Sequence, residues 1–320
     1  MTDPAPCYHF AAIDVGSLTV RLAVAAPTLE GGFRLLTHRR EITGLGQGLA
    51  ATGELAPEGM ARTLAALKDF QQVMAAHQVK AYRAVGTQAL RQARNRQVFL
   101  DRVRGALGLR VEVVAPEEEA WLSLNGVLAA LDPNVLAAPA VLICDVGGGS
   151  SEFALVRQGR APVLASLPLG VLTLSQARPL GDPPQPEKVA ALKEEISTQL
   201  STFYRKSFRP YLNEPLRLVG TAGAVTTLAA LHLQLRRYDA QRVNNLVLTR
   251  AQIATLAELL ASLPEGERAH LAGIEPAKAG VMVAGALIVL TILEVCWQDS
   301  LVVIDAGLLE GVLQEMVPQF

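Results

Sequence analysis

Along the chain, apolar runs of strand length bounded by turn residues alternate with longer stretches whose apolar side chains recur every three or four positions. The first pattern reads as buried strands, the second as amphipathic helices. Tyr8 to Val15, Val20 to Ala26 and Phe33 to Thr43 are predicted strands, the first two joined by the hairpin-like turn Gly16-Ser17-Leu18-Thr19. Gly44, Gly46 and Gly48 predict a flexible loop without helical continuity. A helix opens near Pro57, where proline suits the first turn, and carries Met60, Leu64, Leu67, Phe70 and Met74 on one face. Val79 to Val85 and Leu109 to Val114 read as strands, with short helices over Thr87 to Arg94 and Gln97 to Ala106 between them. Pro116 starts a helix whose first turn is Glu117-Glu118-Glu119; Asp132-Pro133-Asn134 breaks it after about Leu131.

The second half repeats the plan. Val141 to Asp145, Glu152 to Val156 and Pro162 to Leu169 read as strands, and Pro179 to Pro186 as a proline-rich turn. Glu187 to Tyr204 is helical, with Leu192, Ile196, Leu200 and Phe203 on one face. Leu216 to Val219 is a short strand closed by Gly220-Thr221-Ala222-Gly223 and a helix. Leu246-Val247-Leu248 precedes a helix from about Arg250 to Ser262; a buried helix from about Pro276, a strand Leu301 to Ile304 and a final helix from about Gly307 follow.

One echo organises these elements. Ala11-Ala12-Ile13-Asp14-Val15-Gly16-Ser17 and Leu142-Ile143-Cys144-Asp145-Val146-Gly147-Gly148 share a strand, an Asp-x-Gly and a turn into another strand. Two copies of one β–turn–β unit imply two similar α/β domains facing a shared cleft, residues 1–126 and 127–320, with the final helix (about 307–317) packing back on the first. A length of 320 residues agrees, being too great for one ordinary core. Half the residues are hydrophobic, which predicts a well-buried globular protein.

The formal net charge of −1 gives no global case for nucleic acid or an anionic membrane, so a polyanionic substrate would need a local basic patch. Cys7, Cys144 and Cys296 are odd in number and lack metal-type spacing, which predicts reduced thiols in a cytoplasmic protein. Met1 to His9 has neither the basic nor the apolar region of a secretory signal. Ala279 to Leu293 falls short of the roughly 20 apolar residues a bilayer needs, and reads as a core helix.

Candidate chemistry concentrates in Val141 to Phe153. A buried strand ends in Asp145; Gly147, Gly148 and Gly149 follow, then Ser150, Ser151 and the second carboxylate Glu152. Glycines let several backbone N–H groups converge on one anion, and two nearby carboxylates need a cation. A phosphate carrying Mg²⁺ satisfies both.

Further motifs narrow this reading. Thr87-Gln88-Ala89-Leu90-Arg91-Gln92-Ala93-Arg94-Asn95 resembles a T-x-A-x-R-x-A-x-N segment, and Glu118-Glu119-Ala120 with Gly126-Val127 resembles E-E-A…G-V. Asp145 to Glu152 is similar to a D-x-G-G-G-S-x-E core, and Gly220-Thr221-Ala222-Gly223 to a later phosphate turn. In this order, over essentially the whole chain, they resemble the exopolyphosphatase/guanosine pentaphosphate phosphatase group of the actin-like ATPase superfamily. The resemblance implies two actin-like (ribonuclease H-like) domains, each with a mixed five-stranded sheet, and release of terminal phosphate from inorganic polyphosphate. It implies Glu119 as general base, Asp145 and Glu152 as Mg²⁺ ligands, and phosphate contacts from Asp14, Gly16, Ser17, Thr19, Arg21, Arg91, Gly147, Gly148, Gly149, Ser150, Gly220, Thr221, Gly223 and Lys278. It leaves a homodimer open, and offers guanosine pentaphosphate as the alternative substrate.

Simpler roles stand beside these. Three glutamates after a proline suit a helix start on dipole grounds, and Glu117 and Glu118 are read that way. Arg94 and Arg96 read as a solvated face, and Asp14 either caps its turn or positions metal or water. The five histidines are scattered without ligand spacing; Tyr204, Phe208 and Tyr211 read as core or interface. The chain also departs from the family pattern: Leu18 replaces an asparagine of the first phosphate loop, Leu309 an arginine, and Lys278 stands where an arginine often lies. It ends soon after the last helix, without the extension of longer members. These departures motivate a rival, a non-catalytic phosphate-chain binder; a small-molecule kinase is disfavoured by Glu119 and the Thr87 to Asn95 segment.

Overall fold

A computed structural model describes residues 8–28 and 31–317, so Cys7 and the start of the amino-terminal segment lie outside it. The chain forms two compact units: one runs to Gly126 and resumes at Gly307, and the other is Val127–Ala306. The last helix therefore counts with the first unit.

The first unit contains β1 (His9–Val15), β2 (Thr19–Pro27), β3 (Phe33–Ile42), α1 (Leu49–Thr52), α2 (Pro57–Ala76), β4 (Val79–Gly86), α3 (Gln88–Gln92), α4 (Arg96–Leu107), β5 (Val111–Val113) and α5 (Pro116–Ala130), along which the boundary at Gly126 falls. The second continues with α6 (Pro133–Leu136), β6 (Ala140–Val146), β7 (Ser151–Arg157), β8 (Arg160–Leu167), α7 (Val171–Ala177), α8 (Pro186–Ser207), β9 (Leu216–Thr221), α9 (Ala222–His232) and α10 (Ala240–Val243). It closes with β10 (Val247–Thr249), α11 (Arg250–Ser262), α12 (Glu265–Arg268), α13 (Met282–Val295) and β11 (Ser300–Val303), after which α14 (Leu308–Met316) returns to the first.

The sheets are built alike. The first has the order β3-β2-β1-β4-β5 and the second β10-β11-β9-β6-β7-β8. In each, the leading strand is antiparallel to the next and parallel to the one across the crossover. The second sheet thus has six strands where five were expected. The extra one is the three-residue β10, antiparallel to β11 at the edge.

β1 is a continuous apolar run because both its faces are covered. Ala11, Ile13 and Val15 join Val20, Leu22 and Val24 against Leu67 and Phe70 of α2 and Phe99 of α4. Phe10 and Ala12 join Ala23 and Ala25 on the other face, under Leu308, Leu309, Val312 and Leu313 of α14. Leu309, where the family pattern has arginine, is fully buried in this layer. α14 meets α5 backbone to backbone: a methyl group added to Gly126 would fall 1.9 Å from the Gly307 carbonyl oxygen, and one on Gly311 1.8 Å from that of Leu122.

In the second unit α13 is buried all round, against α7, α8, α9 and α11. Each fully buried Leu or Ile there contributes about 1.5–3 kcal/mol. It begins at Met282 because Pro276–Lys278 forms a separate 3₁₀ turn. No helix among the described residues is long and apolar enough to cross a membrane.

Candidate active site

The first turn joins β1 to β2. The Gly16 N–H donates to the Thr19 carbonyl at 3.0 Å, and a side chain on Gly16 would press on that oxygen. The carbonyls of Ser17 and Leu18 accept from Gly46 at 2.8 Å and from Thr43 and Gly44 at 3.0 and 2.9 Å. The glycine loop after β3, expected to be flexible, is thus a buttress for this turn, with Leu45 fully buried. Asp14 faces Arg21 across the strand pair. Arg21 donates to Asp14 Oδ2 from Nε at 3.0 Å and from Nη2 at 2.7 Å. Asp14 is only 4% exposed, and its Oδ1 is buried without a hydrogen-bond partner.

The second turn reproduces the first with different chemistry. The Gly147 N–H donates to the Ser150 carbonyl at 3.0 Å, the same closure. The start of α7 then captures the glycine carbonyls: Val171 donates to Gly147 at 3.0 Å, Leu172 to Gly148 at 2.9 Å, and Thr173 Oγ1 to Gly149 at 3.4 Å. Among the described residues, the amides of Gly148, Gly149 and Ser150 donate to no backbone carbonyl. Bound carbonyls and available amides suit an anion. Opposite Asp145 in the strand pair stands Glu152, not an arginine, and Ser166 Oγ donates to Glu152 Oε1 at 2.9 Å. Two carboxylates directly opposite in a sheet repel, so this pair fits a cation. No group of three or more His, Cys, Asp or Glu side chains able to hold a metal occurs among the described residues. Mg²⁺ needs no such group, being held commonly by one or two carboxylates plus substrate phosphates.

The third turn follows β9. Parallel pairing sets Thr221 beside Asp145, so Thr221, Asp145, Glu152 and Ser166 form one polar row across four strands. Thr221 Oγ1 donates to the Ala306 carbonyl at 2.6 Å. Ala222 enters α9 with φ at +67°, a left-handed conformation unfavourable for a residue with a Cβ. Lys278, 4% exposed, places Nζ 3.7 Å from where a Cβ on Gly223 would lie. That ammonium pairs with Glu275 at 2.9 Å and donates to Thr227 Oγ1 at 3.4 Å. Gly220, Thr221, Gly223 and Lys278 are therefore one constellation at the α9 amino terminus, favourable for negative charge.

Glu119 lies in the first turn of α5, 8% exposed. Arg91 Nη1 donates to Glu119 Oε2 at 2.5 Å and to the Val114 carbonyl at 3.1 Å, while Nη2 donates to Gln88 Oε1 at 2.9 Å. Arg91, expected on the phosphate chain, is hydrogen-bonded to Glu119. Glu118 is more than a helix start: Arg83 joins it at 2.6 Å, Glu315 at 2.7 Å and Glu112 at 3.2 Å, tying α5, α14 and β5 to β4. Arg94 is exposed; it pairs with Glu54 at 3.6 Å and donates to the Thr52 carbonyl at 2.9 Å, while Arg96 Nη1 donates to the Arg91 carbonyl at 3.2 Å. Burial pushes the Cys144 thiol up and that of Cys296 to about 12, so neither is a thiolate nucleophile. Arg40 stands opposite Arg21 on β3.

The description "Ppx/GppA phosphatase family" belongs to the family model that matches residues 24–320. Exopolyphosphatase 2 of Mycobacterium tuberculosis is 32% identical, with 94% of this chain and 96% of that protein covered. The guanosine-5'-triphosphate,3'-diphosphate pyrophosphatase of Aliivibrio fischeri is 26% identical, covering 97% of this chain but 59% of its own length. The crystal structure of the Aquifex aeolicus family member matches with a TM-score of 0.78 at 33% identity, covering 97% of each chain. The two mixed sheets give this chain the same two-domain, actin-like fold. The chain belongs to the Ppx/GppA phosphatase family.

Proposed function

We propose that this phosphohydrolase releases terminal phosphate from inorganic polyphosphate by attack of a water molecule on the end phosphorus. The observation that carries the reading is the pair of like turns with opposite charge beside them: Asp14 with Arg21 in one, Asp145 with Glu152 in the other. A phosphoryl group asks of a protein mainly positioning and charge neutralisation, and these turns offer both.

In this reading Glu119 takes the proton of the attacking water, a role that contributes on the order of 10²–10⁴-fold. Arg91 is its positioning partner, fixing one carboxylate oxygen. The turn amides, with Gly16, Ser17, Thr19, Ser150 and Lys278, hold phosphate oxygens, and Arg21 adds a forked cation. Asp145 and Glu152 would hold Mg²⁺, which supplies neutralisation of the phosphate oxygens. Asp14, with Oδ1 buried and unpartnered, is suited to hold a water or a metal ligand in place. Buried free Cys144 and Cys296 agree with a reducing, cytoplasmic setting.

Similarity to an exopolyphosphatase along nearly the whole of both chains ranks polyphosphate first. The Aliivibrio relative brings in guanosine pentaphosphate as the second substrate. Phosphate release from polyphosphate, guanosine pentaphosphate and ATP, with Mg²⁺ and with EDTA, tests both. Wild-type protein is expected to favour polyphosphate, and Glu119→Gln to lower kcat by about 10²-fold or more. Undiminished turnover in Glu119→Gln removes the base assignment, and binding without turnover by wild type favours a non-catalytic binder.

A further inference from the structure

We infer that Arg157, at the end of β7 remote from Glu152, centres a second oxyanion site, which takes a phosphate group as free phosphate or as an inner link of a polyphosphate chain. β7 runs from Ser151 to Arg157, and five residues of strand set Arg157 ~17 Å from Glu152. Arg157 is 8% exposed, yet most of its guanidinium is unused. Nη1 donates to the Tyr211 carbonyl at a long 3.3 Å. Nε is buried without a hydrogen-bond partner. Nη2 has no partner among the described residues and reaches solvent, and no described carboxylate pairs with the group. An oxyanion therefore meets Nη2 at the surface and completes a second bond at Nε behind it.

Other arginines of the same chain show what the empty edge means. Nε and Nη2 form one side of the fork, and that side is the one turned to carboxylates elsewhere. Arg21 holds Asp14 with it at 3.0 and 2.7 Å, and Arg178 holds Glu195 at 2.7 and 3.1 Å. Arg268, the other arginine buried to this degree among the described residues, is a structural guanidinium: Nε and Nη1 donate to the carbonyls of Ala279, Leu260 and Leu263. Arg157 has neither arrangement. Its surroundings add positive charge. Arg160 stands directly opposite across the β7–β8 pair, where like charges repel. Tyr211 closes the 3₁₀ turn Arg209–Tyr211, and the Arg157 Cζ lies 5.2 Å from the centroid of its ring. From Phe153 to Leu169 the sequence has no acid, and from Ser201 to Arg217 only Glu214, which forms no ion pair among the described residues. Among oxyanions, phosphate is the one a phosphatase meets, as substrate and as product. Arg217 is the internal control. It pairs with Val141, which pairs with Val156, so it lies at the same end of the sheet on the opposite face.

The experiment is calorimetric titration of inorganic phosphate, long-chain polyphosphate and polyglutamate into wild type, Arg157→Met, Arg157→Lys, Arg160→Gln and Arg217→Gln. It is run in EDTA, which withholds metal from Asp145 and Glu152, so the outcome does not depend on turnover. Arg157→Met is expected to weaken binding at least tenfold, and Arg157→Lys and Arg160→Gln about threefold, while Arg217→Gln resembles wild type. Without ligand, Arg157→Met should melt no lower than wild type, because an unsatisfied buried donor is removed. The rise in melting temperature that phosphate gives wild type should shrink in it. Loss of phosphate binding identifies free phosphate as the ligand, and loss confined to polyphosphate identifies an inner link of the chain; either sustains the site. Wild-type affinity for both in Arg157→Met overturns it, as does absence of binding by wild type. An equal loss in Arg217→Gln overturns it too, by showing diffuse charge. Arg157-dependent binding of polyglutamate alone overturns it in favour of an acidic peptide. If Arg157→Met does not fold, wild-type affinity for both phosphate ligands in Arg157→Lys and Arg160→Gln overturns the site.

Discussion

The two hairpin turns are the same piece of backbone with opposite electrostatics. Each closes through one glycine amide on the carbonyl three residues on, and each leading strand has an aspartate as its penultimate residue, paired across to the next strand. In the first, the row reads Val85, Asp14, Arg21, Arg40; in the second, Thr221, Asp145, Glu152, Ser166. One row carries two cations and one anion, the other two anions and no cation. The lesson is that geometry was kept while charge diverged. The turn recurs in both units, and the cross-strand neighbour of its aspartate sets whether the row is cationic or carboxylate-rich.

The substitution expected to break this contrast most severely is Glu152→Gln. It should cost about 10²-fold or more in kcat, as for loss of a preorganised charge. The melting temperature should hold or rise, because a repelling pair is relieved. A falling melting temperature with kcat retained would mean that Glu152 is structural. Arg21→Gln comes next: it strips the partner from a buried carboxylate and should lower stability by about 1–3 kcal/mol in urea titrations. A neutral result would show that Asp14 is satisfied without Arg21. The smallest effect lies at His38, whose counterpart in the second sheet is the apolar Leu164. The unfolded chain binds the His38 proton near pH 6.5, the folded one only near pH 4, so its contribution is present above 6.5 and fades as pH falls towards 4. Melting curves of His38→Gln should lose part of that acid decline, and parallel profiles would exclude His38 as its source.

Much of the fold was legible because its signals are local. Apolar runs marked β1, β6 and β9, the three- and four-residue steps marked α2 and α8, and the Asp-x-Gly echo announced the paired turns. Local signals fail where tertiary contact decides. β10 is three residues long and exists by pairing with β11; α7 forms where Gly170 lets it lie against the carbonyls of Gly148 and Gly149. The pairing of Arg91 with Glu119, and of Arg83 with Glu118 and Glu315, joins residues far apart in the chain.

The return of α14 has a consequence for how the protein is made. Ala12, Ala23 and Ala25 are covered by Leu308, Leu309, Val312 and Leu313, which are synthesised only after the whole of Val127–Ala306. The unit begun first is therefore the one completed last, and the intervening Val127–Ala306 has all its strands and its own core helix in hand before that. Vectorial synthesis usually favours the amino-terminal domain. Here the order is reversed, and a nascent chain stalled before Gly307 would display an uncovered apolar sheet face to the chaperones waiting at the tunnel exit.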